Sequence, residues 1–372
     1  MRRKLFSGLL PRLLLVSALL ISMILGGPAC LASGETDLEG ATRLTIVHTN
    51  DTHARVREDE GFGFAKISAV IQVARKINPN TLLLDAGDTF HGQTFATLSK
   101  GESIARIMNK IGYDAMVPGN HDFNYGYERL LELGEMINFP ILAANVTRED
   151  GPPLFEPYII KEIAGLKVGI FGLSTPETAY KTHPDNVKGL TFTAPVESAR
   201  RAVELLKDKT DIIIALSHLG TDQASEYTSE KVAREVEGID LIVDGHSHTV
   251  LERGLKVGGT LIVSTGEYGK NLGFVDVYFK NGKVVSIEAR LMSKELAEAA
   301  EDGAIASLIK SIEDEQAAVL SEVVGRTTVA LEGAREKVRA GETNLGNLIT
   351  DAILYVTGAD CALLNGGGIR AS

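Results

Sequence analysis

Short apolar runs alternate along this chain with stretches whose apolar residues recur at helical spacing. LTIV at 44–47, TLLL at 81–84, Leu166–Leu173, DIIIAL at 211–216 and DLIV at 240–243 read as strands buried on both faces. Between them, Phe64–Lys76, Ser103–Ile111 and Tyr127–Met136 carry helical spacing. Pro195–Lys207 does too, with Pro195 near its start and Val196, Ala199, Ala202, Val203 and Leu206 on one face. Ser174-Thr175-Pro176 forms a turn after Leu173. Tyr278–Val285 reads as a hairpin because Asn281-Gly282 supplies a type I′ turn. Strands alternating with helices predict an α/β fold.

The composition shifts after Met292. Lys294–Leu320 is rich in Ala, Glu and Leu, lacks Pro, and reads as one or two linker helices at a domain boundary. Beyond it the pattern predicts a strand around Val323–Leu331, a helix around Leu345–Val356, a strand around Ala362–Leu364, and the turn Gly366-Gly367-Gly368.

Polar residues gather just past the strand ends. They are Asp51 and His53 in HTNDTH, Asp88 in LLLDAGD, Asn120 and His121 in VPGNHDFNYG, His218 in IIIALSH, and His246 and His248 in LIVDGHSH. The carboxyl ends of strands are where open α/β sheets place their sites. Carboxylate, imidazole and amide oxygen without thiolate suit Zn²⁺, Mn²⁺, Fe²⁺, Co²⁺ or Mg²⁺. Two such ions need a shared ligand to hold them about 3.5–4 Å apart, and a carboxylate supplies one. Asp88, after the turn residues Ala86 and Gly87, is the candidate bridge. A metal pair of this kind turns water into a nucleophile at neutral pH and screens the charge of a phosphoryl group.

These motifs, in this order, resemble the calcineurin-like metallophosphoesterases. The longer strings HTNDTH, LLLDAGDTFHG, GNHDFNYG, DGHSHT, GEYGKNLG, ETNLGNLITDA and NGGGIR narrow the resemblance to the secreted 5′-nucleotidase and UDP-sugar hydrolase group, from about residue 43 onward. The resemblance implies a four-layer α/β/β/α sandwich over residues 43–292, a linker helix over 293–320, and the start of a substrate-binding α/β domain over 321–372. It implies that Asp51, His53, Asp88 and His248 hold one metal, and Asp88, Asn120, His218 and His246 the other. His121 would contact the phosphate without binding metal, and Arg339, Asn365 and Arg370 would face the substrate. Many 5′-nucleotidases orient the catalytic histidine with an Asp three residues on, where this chain has Asn124. Through its carbonyl, Asn124 is expected to fix the tautomer of His121 without stabilising imidazolium as a carboxylate does. Asp122 is the other candidate for that task, although adjacent side chains usually diverge.

Residues 1–32 read as a signal peptide: Met1-Arg2-Arg3-Lys4, an apolar stretch from Leu13 to Leu25, then small residues up to Ala32. Pro28-Ala29-Cys30 is the alternative, a degenerate lipoprotein box that would tie the chain to a membrane through Cys30. Either implies an exported protein, periplasmic, in the cell envelope or extracellular. About 340 residues remain past the leader, enough for two domains. Cys361, in the apolar stretch Cys361–Leu364, is then expected to be a small buried core residue. The formal charge of −11, with no basic run past the leader, argues against a nucleic-acid polymer as partner. The sequence stops at Ser372, just after NGGGIR, where the family pattern continues; the aromatic pair that would sandwich a nucleobase is expected in that continuation. The expected activity is two-metal phosphohydrolysis of nucleotides by a 5′-nucleotidase, with UDP-sugar hydrolysis beside it. A 2′,3′-cyclic-nucleotide phosphodiesterase with 3′-nucleotidase activity is the alternative within the enzyme class. A catalytically weak metal- or ligand-binding envelope protein is the alternative outside it.

Overall fold

The computed structural model describes residues 38–369 apart from 60, 150, 298 and 299, so the leader, with Cys30, and Arg370 lie outside the described residues. Two compact units divide the chain, 1–313 and 314–372. In the first, one sheet holds β1 (Thr42–Thr49), β2 (Thr81–Asp85), β3 (Ala115–Met116), β12 (Asn271–Lys280) and β13 (Lys283–Ser293), in the order β13-β12-β1-β2-β3. Short β4 (Val146–Arg148) pairs with β7 (Leu190–Phe192). The second large sheet holds β5 (Tyr158–Ile163), β6 (Leu166–Ser174), β8 (Ile212–His218), β9 (Leu241–Val243), β10 (Leu255–Val257) and β11 (Thr260–Val263), in the order β10-β11-β9-β8-β6-β5.

Strand period sorts the apolar residues into three cores. In β8, Ile212, Ile214 and Leu216 point toward the other sheet, while Ile213 and Ala215 face helices. In β1, Leu44 and Ile46 meet them between the sheets and Val47 faces the other way. Phe64, Ile67, Ile71, Ile104, Ile107 and Met108, on helices Gly63–Ile77 and Glu102–Ile111, cover the first sheet. Ala199, Ala202, Val203 and Leu206, on helix Pro195–Leu206, cover the second. The result is the four-layer α/β/β/α sandwich, and it explains why the strands are apolar throughout: both faces of each sheet are covered. Within each sheet, β1-β2-β3 and β6-β8-β9-β11 run parallel, so their carboxyl ends emerge together.

The hairpin forms as read from the sequence, with Asn281 and Gly282 at φ 55° and 72°, the left-handed pair a type I′ turn needs. A single 3₁₀ turn, Lys294–Leu296, and then helix Gly303–Leu320 follow β13, and Ile305, Ile309 and Ile312 bury into the core under the first sheet.

In the second unit, helix Asn344–Thr357 forms as expected. Thr343 Oγ1 accepts from Gly346 N at 3.1 Å at its start, and Gly358 at φ 66° ends it. Val323–Leu331 and Ala362–Leu364, expected as strands, are irregular. A strand's backbone groups need a neighbouring strand, and no strand is present among the described residues of this unit. Cys361, expected in a core, is exposed for the same reason: no sheet forms there to cover it. Among the described residues, no helix is long and apolar enough to cross a membrane.

Ile214 is fully buried between the sheets, so Ile214→Ala should cost roughly 2–5 kcal/mol. Leu205→Ala, on the exposed side of its helix, should change stability by less than about 0.5 kcal/mol. Denaturant titration of both variants checks the layer assignment.

Candidate functional site

Loops leaving the carboxyl ends of both sheets meet at one place. Asp51 and His53 follow β1, Asp88 follows β2, and Asn120 and His121 follow β3. From the second sheet, His218 ends β8, and His246 and His248 follow β9. Asp88 Oδ2 lies 3.4 Å from His218 Nε2 and 3.9 Å from His53 Nε2, between the two imidazoles. Asp51 Oδ1 lies 3.4 Å from His248 Nε2 and 3.9 Å from His218 Nε2. His53 Nε2 and His248 Nε2 approach to 3.4 Å. Ligand atoms of Asp51, His53 and His248 converge on one point, and those of Asp51, Asp88 and His218 on a second. Asn120 Oδ1 is buried with no hydrogen-bond partner. His246 stands beside His218 with ring centroids 5.1 Å apart.

Three of the ligand imidazoles are held by a carbonyl or a carboxylate. The Nδ1–H of His218 donates to the Ala86 carbonyl at 2.5 Å, which leaves Nε2 as the lone-pair nitrogen facing the carboxylates. The Nδ1–H of His248 donates to Glu267 at 2.6 Å, with the same effect. His246 Nε2 lies 3.0 Å from Glu177 Oε2, so its Nδ1 is the nitrogen left for a ligand. The hydrogen bond from His246, aided by Lys181 and Ser225, holds the Glu177 carboxyl well below the usual range. Glu267 lies within GEYGKNLG, but Glu177, in the turn after β6, gives no local signal.

The ligand loops are strained. Asp51, His53, Asp88, His246 and His248 all sit at positive φ, between 47° and 78°, where side chains other than glycine are uncommon. Such backbone persists only where its surroundings over-determine it. Asp122 does so for the Asp88 loop: its carboxylate accepts from the backbone N–H groups of Asp88, Thr89, Phe90 and Gly119 at 2.8–3.0 Å. Asp122 therefore does not orient His121, since its oxygens are turned into the loops. Asn50 braces Asp51, donating from Nδ2 to Oδ2 at 2.8 Å while its own carbonyl accepts from Thr265. A side chain on Gly119 would come within 2.2 Å of Asp88 Oδ1, so the first residue of GNHD is glycine because a metal-facing carboxylate passes over it.

Asn124 does meet His121, but with the opposite end of its amide to the one expected. Asn186 Nδ2 donates to Thr182 Oγ1 at 3.0 Å, and that hydroxyl donates to Asn124 Oδ1 at 2.9 Å. Asn124 Nδ2 then faces His121 Nδ1 at 3.0 Å and donates to it. His121 accordingly carries its proton on Nε2. The expectation of a carbonyl acceptor fails because Thr182, 58 residues away in sequence, occupies that carbonyl.

The donors fit a pair of divalent cations. Asp51 and Asp88 are buried, and among the described residues their only charged partners are histidines. Burial pushes the Asp88 and Asp51 carboxyls up, and the imidazoles that face them outweigh it and hold both below the usual carboxylate range. Buried ionised carboxylates and an orphaned amide oxygen are costly unless a cation completes them.

In the second unit, Asn365 Oδ1 accepts from Gly367 N at 3.2 Å and opens the single 3₁₀ turn Gly366–Gly368. Arg339 follows the short helix Arg335–Val338 and its Nη2 lies 3.6 Å from where a side chain on Gly367 would begin. Arg339 and Asn365 thus share one corner of this unit, while Arg370 is outside the described residues.

Comparison with known proteins agrees with this architecture. Residues 44–250 match the calcineurin-like phosphoesterase family, and 323–372 match the 5′-nucleotidase C-terminal domain. The chain belongs to the calcineurin-like phosphoesterases and, among them, to the 5′-nucleotidase group. It is 35% identical over 378 residues to the trifunctional nucleotide phosphoesterase protein of Bacillus subtilis, covering 90% of this chain and 25% of that one. It is 32% identical over 414 residues to the 5′-nucleotidase of Vibrio cholerae, covering 98% of this chain and 74% of that one. The crystal structure of the 5′-nucleotidase precursor from Thermus thermophilus superposes with a TM-score of 0.72 at 34% identity, over 89% of this chain and 70% of that one. The chain thus spans a quarter of the Bacillus protein and about three quarters of the Vibrio one.

Asp88→Asn should lower bound metal below two ions per chain, read by elemental analysis of the purified protein. His218→Ala, His246→Ala and His248→Ala should lose metal as well, whereas His121→Ala should keep it. Gly119→Ala should behave like Asp88→Asn, because the added methyl displaces the carboxylate; full metal content in that variant would contradict the close approach.

Proposed function

We propose that this chain is a two-metal phosphoester hydrolase acting on nucleotides, with 5′-nucleoside monophosphates as its first substrate class and UDP-sugars as its second. The observation that carries the reading is the Asp88 carboxylate. One oxygen accepts from His121 N at 2.7 Å, and the other faces His53 on one side and His218 on the other. Asp51, His53, Asp88 and His248 would hold one ion, and Asp88, Asn120, His218 and His246 the other, from among Zn²⁺, Mn²⁺, Fe²⁺, Co²⁺ or Mg²⁺. Bound there, the pair supplies Lewis acidity toward a phosphoryl oxygen and lowers the pKa of water. The protein's own part is orientation and charge. Ala86, Glu267 and Glu177 fix three ligand imidazoles, and Asp122 fixes the loop that carries Asp88. His121, protonated on Nε2 through its bond with Asn124, offers a donor to a phosphoryl oxygen as negative charge develops.

Nucleotides enter this reading because the relatives named above are a 5′-nucleotidase and a nucleotide phosphoesterase. We assign residues 43–292 to the metal domain, 293–320 to the linker, and 321–372 to a substrate-binding part that uses Arg339, Asn365 and Arg370. The leader sequence supports export, either free after cleavage near Ala32 or anchored through Cys30. Asn124 favours one second reading, a 2′,3′-cyclic-nucleotide phosphodiesterase, since members of that related group can also carry Asn at this position.

The full chain supplied with Mn²⁺ or Zn²⁺ should release the phenol from a chromogenic aryl phosphate, and a chelator should abolish release. A panel of AMP, UDP-glucose and 2′,3′-cyclic AMP should rank AMP first; a cyclic nucleotide at the top would select the second reading. His121→Ala should cut kcat roughly 10²–10⁴-fold without loss of metal. No chelator-sensitive turnover of any of these esters would leave a binding protein as the function.

A further inference from the structure

The loop that carries Asp88 also carries His91, which none of the assignments above uses. Its ring lies parallel to that of His121, with centroids 5.6 Å apart and 5° between planes, and Tyr125 tilts against it at 5.2 Å. Its position is set by its neighbours on both sides. Phe90 N is bound by Asp122, and the absence of a side chain on Gly92 lets the His53 carbonyl sit within 2.2 Å of where one would begin. Asn124 reaches both rings: its Nδ2 lies 3.0 Å from His121 Nδ1, and 3.2 Å and 3.4 Å from the two ring nitrogens of His91.

An amide nitrogen carries two hydrogens, and a carboxylate in the same place carries none. With the Asn124 carbonyl fixed on Thr182, one hydrogen goes to His121 and the second faces His91. Without His91, a half-buried N–H would lose its protein partner, and the amide would lose a reason to present its nitrogen to His121. We propose that His91 is a positioning residue that works with Asn124, its stacked ring and nitrogens holding the amide so that it keeps the His121 proton on Nε2. Asn124 and His91 together then replace the carboxylate that orients this histidine in many 5′-nucleotidases. The inference rests on the hydrolase reading above for its consequence in turnover, but not for its geometry.

The test compares the metal-loaded full chain with His91→Ala, His91→Gln, Asn124→Ala and the His91→Ala/Asn124→Ala double variant on an aryl phosphate. His91→Ala should lower kcat roughly tenfold with KM and metal content unchanged, the order expected for losing one oriented hydrogen bond. His91→Gln, which restores an acceptor, should recover part of that loss. The double variant should be little worse than Asn124→Ala alone, because the two residues act as a unit. Additive losses, a kcat within twofold of wild type, or an effect on KM alone would overturn the proposal. Long-range ¹H–¹⁵N spectra of the Zn²⁺-loaded chain give a readout that needs no turnover. The His121 ring nitrogens should shift in His91→Ala; unchanged shifts would overturn the proposal. If wild type turns over no ester, the hydrolase reading fails and these spectra decide the inference by themselves.

Discussion

Two carboxylates, Asp51 and Asp88, are buried side by side, and among the described residues only imidazoles are their charged partners. Like charges removed from water repel and lose their hydration, and among the described residues no Arg or Lys pairs with either of them to offset that. Every notable feature of the surrounding structure follows from keeping them there ionised. Each oxygen is given a donor or faces an imidazole: His121 N for Asp88 Oδ1, Asn50 Nδ2 and His246 N for Asp51 Oδ2. The imidazoles are turned by Ala86 and Glu267 so that lone pairs, not protons, point inward. Such an arrangement is poor as an apolar-core substitute and well suited to receiving divalent cations.

The cost appears in the backbone. Left-handed conformations at Asp51, His53, Asp88, His246 and His248 are each worth of order 1–3 kcal/mol. They are borne by a scaffold that is buried and hydrogen-bonded beneath them. Asp122 is the clearest part of it, a buried carboxylate that takes four backbone N–H groups from two loops and is pushed up to about 6 by its burial and the charge of Asp88. The apolar core between the sheets is the other part. Leu44, Ile46 and Leu84 on one side and Ile214, Leu216 and Val243 on the other fix the distance between the two sets of loops, so ligands from both sheets converge.

Much of this was legible before the fold. A strand covered on both faces is apolar along its length, so β1, β2, β8 and β9 announce themselves, and hard-ligand residues directly after them mark a site at their carboxyl ends. Turn chemistry was equally local: Asn281-Gly282 can hardly be other than a tight hairpin turn. The errors lie where a segment depends on a partner. Val323–Leu331 and Ala362–Leu364 have strand-like composition, and Cys361 sits among apolar residues, yet composition cannot form a ladder by itself.

What the sequence determined by itself is therefore the chemistry and the local order: which strands exist, which donors follow them, and that carboxylate, imidazole and amide oxygen would be gathered without thiolate. Only the tertiary structure decided how those donors are presented. Glu177, Glu267, Thr182 and His91 reach the site from loops with no recognisable spacing to the residues they hold, and Asn124 offers its nitrogen rather than its oxygen because Thr182 has taken the oxygen. The reason is physical. Strand and helix patterns report burial along one segment, whereas the direction of a hydrogen bond depends on which distant group already occupies the other end of the side chain.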